Sequence, residues 1–307
     1  MYRRILVPLD GSPLAESALP FALSLAERSR GEIHLAQAVA ALRPFGMFEE
    51  TDPEWPEWME SARTRSAKYL AEVGQRLEST GATSPIHTHL LSAPPVRAIQ
   101  EFVLQEGIDQ VVMTTHGRGR FQRMWLGSVA DGVLRSVPSP VFLWREPGDD
   151  PVLLESRPAL QCLLVALDGS ERAEAILPWA EELARLFDAR LALVGVASDG
   201  EEFAAGETPR PTGEAGEQAA PLLRLQSYME RTAKELGGRG LEVEYKVLSG
   251  VQAHEGILSE QVRTGADVVV LSTRGRDPRT RLLLGSVADK VIRGSEGHVL
   301  VHRDAGE

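Results

Sequence analysis

The sequence predicts two tandem α/β domains, each an open five-stranded parallel sheet with helices on both faces. Three observations lead to this. The chain has 307 residues, which suits two domains of about 150 residues each. Short motifs recur at one constant spacing: Leu6-Val7-Pro8-Leu9-Asp10-Gly11-Ser12 returns as Leu164-Val165-Ala166-Leu167-Asp168-Gly169-Ser170, and Gly127-Ser128-Val129-Ala130-Asp131 returns as Gly285-Ser286-Val287-Ala288-Asp289, each pair 158 positions apart. Thr115 and Gly117-Arg118 match Thr273 and Gly275-Arg276 at the same spacing. A repeat of that length is a domain, not a turn of a solenoid. Within each copy, short β-rich runs alternate with longer amphipathic ones, the pattern of βαβ units.

Taken in order, Ile5-Leu6-Val7-Pro8-Leu9 is a short apolar run closed by Asp10-Gly11-Ser12. It predicts a buried strand over 4–9 and is too short for the hydrophobic stretch of a signal peptide. A helix follows over 14–30, with Gly31 as its stop. Strands at 32–39, 85–91, 109–115 and 140–145 alternate with helices at 55–80, 95–107 and 127–136. Val111-Val112-Met113 is apolar throughout, as expected of a strand covered on both faces. The second copy repeats this order from about residue 161 to 303. Glu146-Pro147-Gly148-Asp149-Asp150-Pro151 and Arg157-Pro158 mark a linker, so the domains are read as 1–146 and 160–307 with the linker at 147–159. Stretches 43–56 and 199–216 are long enough to be lids or binding loops.

Composition narrows the class. Hydrophobic residues make up 43% and charged residues 25%, close to the globular average and far from a disordered chain. The formal net charge of −11 disfavours non-specific attraction to nucleic acid or an anionic membrane. Cys162 is the single cysteine; it has no internal partner and heads an apolar run, which marks it as a buried small hydrophobe. No apolar stretch approaches the roughly 18 residues of a membrane span. The expectation is a soluble cytoplasmic protein.

In an open parallel sheet, ligands bind beyond the carboxyl ends of the strands. Two signals fall there in each copy. One is Asp-Gly-Ser after the first strand. The other is the loop after the fourth, Thr114-Thr115-His116-Gly117-Arg118-Gly119-Arg120, which runs on to Gly127-Ser128 at a helix start. Glycine lets backbone approach an oxygen closely, and a helix N-terminus offers unpaired N–H groups and partial positive charge, so the combination suits phosphate. Ser128 with Asp131, and Ser286 with Asp289, equally fit a capping box that needs no ligand. Asp10 and Asp168 fit a helix cap as well as a ligand contact. His87 and His89 have a spacing that suits metal, but with no third ligand near in sequence a surface strand is the reading preferred. Trp55 and Trp58 read as packing residues. No Gly-x-x-x-x-Gly-Lys or Gly-x-Ser-x-Gly sequence is present, and nothing identifies a general base or nucleophile. Ser128 and Ser286 are therefore binding groups, and the expectation is a binding protein rather than an enzyme.

The residues resemble the universal stress proteins, and among them the tandem-domain members. Gly117, nine residues, then Gly127-Ser128 follow that family's nucleotide signature, as do Gly275, nine residues, then Gly285-Ser286. Ile5-Leu6-Val7-Pro8-Leu9-Asp10-Gly11-Ser12 and Pro140-Val141-Phe142-Leu143-Trp144 also look like this family. The resemblance implies two Rossmann-like domains binding ATP, or AMP or ADP, with Mg2+ accompanying ATP. It places Pro8, Asp10 and Ala38 near the adenosine, Met113, Thr114, His116 and Gly117 at the fourth-strand turn with Arg118 and Gly119 beyond, and Gly127, Ser128 and Val129 on phosphates. The counterparts are Ala166, Asp168, Val196, Leu271, Ser272, Arg274, Gly275, Arg276, Gly285, Ser286 and Val287. It further implies pairing of the fifth strands, Pro140 to Arg145 and His298 to Arg303, as an intramolecular pseudo-dimer, with a homodimer left open and a protein partner not identified.

The copies depart from the family pattern in different ways. The first signature glycine is Thr114 in one and Ser272 in the other, and only the second copy carries Asp277-Pro278 in the loop. A carboxylate and a residue without an N–H disfavour phosphate there, so the first site is expected to bind more tightly. A nucleotide-binding stress-response regulator is the leading function. An interaction module without nucleotide and a slow ATPase or autophosphorylating protein are the alternatives.

Overall fold

The computed structural model describes residues 1–39, 55–115, 126–145, 153–197, 215–274 and 284–304, with the side chains of 215–220, Arg274 and Asp304 excepted. The chain divides into two units, Met1–Ala159 and Leu160–Glu307. Both are α/β with parallel sheets, as the repeat predicts.

In the first unit, β1 (Arg4–Pro8), β2 (Glu32–Ala38), β3 (Ile86–Leu91), β4 (Gln110–Thr114) and β5 (Val141–Trp144) stand in the order β3-β2-β1-β4-β5. Ile5, Leu6, Val7, Val111, Val112, Phe142 and Leu143 are fully buried, because helices cover both faces. Given this strand order, the right-handed hand that parallel crossovers take assigns α1 (Pro13–Glu16), α2 (Leu19–Ser29) and α3 (Trp55–Ser79) to one face, and α4 (Pro95–Glu106) and α5 (Ser128–Ser136) to the other. The direction of the connections reverses between β1 and β4, and this is where such a sheet opens a crevice for ligand.

The single helix expected over 14–30 is two. α1 ends at Glu16 and α2 begins at Leu19 with Pro20 in its first turn, where a ring without an N–H is tolerated but cannot continue a preceding helix. The helix stop also differs from expectation. The left-handed residue closing α2 is Arg30, at φ 55°, and not Gly31. Residues 153–159, read from the sequence as linker, pack on α2: Arg157 forms two hydrogen bonds to Glu27, at 2.8 and 3.2 Å, and the Ser24 hydroxyl donates to the Pro158 carbonyl.

The second unit has β6 (Cys162–Ala166), β7 (Arg190–Ala197), β8 (Val243–Ser249), β9 (Val268–Arg274) and β10 (His298–Asp304), ordered β8-β7-β6-β9-β10. Between them lie α6 (Glu171–Glu174), α7 (Leu177–Phe187), α8 (Ala215–Gly238), α9 (Ala253–Thr264) and α10 (Ser286–Gly294). Cys162 is buried in β6, and burial pushes its thiol pKa up, away from nucleophilic chemistry. Among the described residues no helix is long and apolar enough to cross a membrane.

Candidate functional site

The parallel register gathers the predicted residues of the first unit at one edge. Pro8 ends β1, Ala38 ends β2, and Met113 and Thr114 end β4. Pro8 stands opposite Ala36, and Leu6 opposite Val111, so these ends flank the point where the connections reverse. Asp10 lies just beyond β1, exposed. Its Oδ1 accepts from the Ser12 N–H at 2.9 Å, while the Ser12 hydroxyl accepts from the Ala15 N–H at 3.1 Å. Ser12 is therefore the helix cap. The reading of Asp10 as that cap is corrected, and its Oδ2 has no hydrogen-bond partner among the described residues.

The second unit repeats the arrangement. Ala166 ends β6, Val196 is the last but one residue of β7, and Leu271, Ser272 and Arg274 lie in the final part of β9. Asp168 Oδ1 accepts from the N–H and the hydroxyl of Ser170, whose Oγ caps Ala173 at 3.1 Å. The Ser272 hydroxyl is buried without a hydrogen-bond partner, a cost that a bound polar group would relieve.

The capping box is the second correction. The N-cap of α5 is Gly127 and that of α10 is Gly285; neither helix start has a side-chain cap. Ser128 and Ser286 are the first helical residues, with Val129 and Val287 next, and the acids have another use. Asp131 binds Arg135 through two hydrogen bonds of 2.8 Å, and Asp289 binds Arg293 through two of 3.0 Å. The N–H groups of both helix starts are thus left to solvent or a ligand. Gly127, at φ −61° and ψ 148°, and Gly285, at φ −53° and ψ 147°, have a conformation open to any residue. A Cβ at Gly285 would meet nothing within 4 Å. Among the described residues, neither backbone strain nor packing requires that glycine, and none of them occupies the space in front of the helix where an anion would approach.

His116, Gly117, Arg118, Gly119, Gly275 and Arg276 lie outside the described residues, as do 40–54 and 198–214.

Residues 1–145 and 161–303 each match the profile of the universal stress protein family. The chain belongs to the universal stress protein family. It is similar along nearly its whole length to universal stress protein Rv2623 of Mycobacterium tuberculosis, with 24% identity over 98% of this chain and 96% of that one. Universal stress protein MJ0531 of Methanocaldococcus jannaschii is 30% identical over 48% of this chain and 84% of its own. A universal stress protein of Archaeoglobus fulgidus has the same fold, with a TM-score of 0.70 and 22% identity, covering 99% of this chain and 98% of that one.

In this universal stress protein the histidines of β3 have more company than the sequence suggested. β2 pairs with β3 so that His34 stands opposite His87. His34 Nδ1 lies 3.1 Å from His89 Nε2, His34 Nε2 lies 3.2 Å from Glu32 Oε1, and His87 Nε2 lies 3.6 Å from Glu32 Oε2. Phe102 of α4 packs on His89, and Arg4 pairs with Glu32. The partners missed in the sequence are His34 and Glu32, more than 50 positions from His87. Their signal is alternation: two histidines at i and i+2 on one strand and a third in register on its neighbour. Among the described residues no group of three such ligands has the geometry to hold a metal ion. Trp55 and Trp58 stack on each other, with ring centres 5.3 Å apart.

Burial holds the pKa values of His34 and His89 below the ordinary histidine range, against the opposing pull of Glu32 on His34 and of Glu106 on both. The folded state therefore binds fewer protons here than the unfolded chain. Stability from this pair is complete above the ordinary histidine value of about 6.5 and is lost as pH falls below it. The unfolding midpoint is expected to drop between about pH 7 and pH 5, with a shallower slope in His89→Gln. Thermal unfolding across that range checks it; identical slopes would remove the pair from the account.

Proposed function

We propose that each unit binds an adenine nucleotide at the carboxyl edge of its sheet, and that the chain is a nucleotide-responsive regulator rather than an enzyme. The observation that carries this reading is the pair of side-chain-free helix starts, each with a glycine N-cap that its backbone conformation does not require. A phosphate accepting from those N–H groups satisfies donors that nothing in the described protein satisfies, and the helix dipole favours its charge. The exposed Asp10 and Asp168 carboxylates and the small residues Pro8, Ala38, Ala166 and Val196 lie at the same edges, and suit a sugar and a base. Membership of the universal stress protein family and the signature spacing support the same assignment. Ser128 and Ser286 act as hydroxyl donors to phosphate and not as nucleophiles, and protein partners respond to occupancy.

Mass spectrometry of the supernatant from denatured, freshly purified protein tests this together with equilibrium dialysis against labelled ATP, with and without Mg2+. ATP, ADP or AMP is expected in the first and saturable binding in the second. Phosphate release at saturating ATP is expected at the buffer level. Absence of all nucleotide binding overturns the proposal, and sustained phosphate release replaces the regulator with an ATPase.

A further inference from the structure

The two units differ just beneath the Asp-Gly-Ser turn, at a pair of positions outside the family's nucleotide signature. In the first unit Gln37, one residue before the end of β2, sends its amide under Gly11: Gln37 Nε2 lies 3.7 Å from where a Gly11 Cβ would be. Gln37 is 3% exposed and its Oε1 has no hydrogen-bond partner. Ser66 of α3 is 1% exposed and its Oγ also has no partner.

The second unit shows what fills this place when it is apolar. Gly195 occupies the position of Gln37, 158 residues on. Helices α3 and α8 align through Tyr69, which donates to Glu16, and Tyr228, on whose phenol the corresponding Glu174 acts electrostatically. That alignment puts Leu225 at the position of Ser66. A Cβ on Gly195 would lie 3.1 Å from Leu225, and one on Gly169 would meet Tyr228 and Leu225 at 3.8 to 4.0 Å. Helix α8 therefore closes on the second turn with Leu225 and the carbons of the Tyr228 ring, its one unpaired polar atom there among the described residues being the Tyr228 hydroxyl, whereas in the first unit the corresponding β2 and α3 positions carry the unpaired Gln37 amide oxygen and Ser66 hydroxyl.

A buried acceptor left unpaired is destabilising, so such groups are kept where something pairs with them. We infer that Gln37, assisted by Ser66, is a specificity-determining residue of the first site, whose amide oxygen accepts a hydrogen bond from a donor of the bound nucleoside that the second unit cannot read. This rests on the nucleotide reading above. The donor is an amino group of the base or a hydroxyl of the ribose; both are N–H or O–H groups that a buried carbonyl oxygen recognises. A site built around such a bond discriminates strongly against the analogue lacking the donor, because the protein group is then left unpaired.

The test compares full-length wild type with two variants in calorimetric titrations of ATP, inosine triphosphate, 2′-deoxy-ATP and 3′-deoxy-ATP. The double variant Gln37→Gly/Ser66→Leu installs the second unit's own residues. Gln37→Met keeps the length of the side chain without its polarity, and serves if the double variant does not fold. In wild type, one of the three analogues is expected to bind the first site about tenfold more weakly than ATP, and that preference is expected to vanish in the variants. Loss of preference for inosine triphosphate identifies the base amino group, and for a deoxy analogue the corresponding hydroxyl. Unchanged preference in a folded variant that binds ATP overturns the inference alone, assigning Gln37 to a buried water. No ATP binding by wild type overturns the nucleotide reading and the inference with it.

Discussion

Alanine in place of Gly31 is expected to destabilise the first unit by about 3 kcal/mol, a large effect for one methyl group. A Cβ there would stand 2.6 Å from the Tyr2 carbonyl oxygen, 2.8 Å from that of Arg3 and 3.0 Å from the Ser29 hydroxyl. The two carbonyls are backbone, and neither can swing away as a side-chain end would. Tyr2 is itself fixed: it is fully buried, has φ 57°, and its carbonyl accepts from the Ser29 hydroxyl. The second unit supplies the control. Ala189 stands at the equivalent position, and Leu160, which replaces Tyr2, is not among the described non-glycine residues with positive φ. Alanine fits where the preceding strand enters in an ordinary conformation. Ala189→Gly should therefore cost only about 0.5–1 kcal/mol, through the added freedom of the unfolded chain. Hydrogen exchange of β1 and β2 amides, against those of β6 and β7 in the same chain, separates the two effects. Loss of protection below about 1 kcal/mol in Gly31→Ala would show that the strand entry yields.

Gly31 also shows what sequence reading can and cannot reach. A glycine after a helix ending in Arg28-Ser29-Arg30 reads as the left-handed stop, yet Arg30 takes that conformation, and so does Asp188 in the second unit. The reason for the glycine is a contact with residues nearly 30 positions earlier, which no local pattern encodes. The central strands were legible because each is a short apolar run buried on both faces, whereas the edge strands β3 and β8 are partly exposed and show only in their place in the βαβ rhythm. The break before Leu19 was legible in principle from Pro20, and again in the second unit from Pro178. At the candidate site, the strand-end residues fell where the repeat placed them. The capping box was misread by one residue: Ser-x-x-Asp fits a cap at the serine, but the glycine before it is the cap and the helices start one position earlier, at the serine itself, while Arg135 and Arg293 draw the acids away. Gln37 was invisible because its significance lies in being buried and unpaired, and in a comparison with Gly195 and Leu225 that requires both packed units.

Valine in place of Gly127 is expected to weaken nucleotide binding at the first site by about 100-fold, and Gly285→Val to weaken total binding less. The argument starts from what these glycines do not do. Their φ and ψ suit any residue, and at Gly285 an added Cβ meets no atom of the described residues, so valine is expected to fold there with little cost. Branched carbons would instead occupy the space before the helix, holding a phosphate oxygen out of reach of the N–H groups. Hydrogen bonds to a charged partner contribute about 1.5–3 kcal/mol each, and losing one or two of them accounts for a change of that size. The asymmetry comes from the sequence beyond Gly275. That stretch of sequence carries a carboxylate, Asp277, whose charge is like that of a phosphate, and Pro278, which has no N–H to offer. The apolar closure of Leu225 and Tyr228 over Gly169 acts in the same direction at the nucleoside end. Calorimetry on both variants, with unfolding midpoints measured in parallel, decides the matter: equal losses, or a larger one from Gly285→Val, would mean that the second site carries at least as much of the binding as the first.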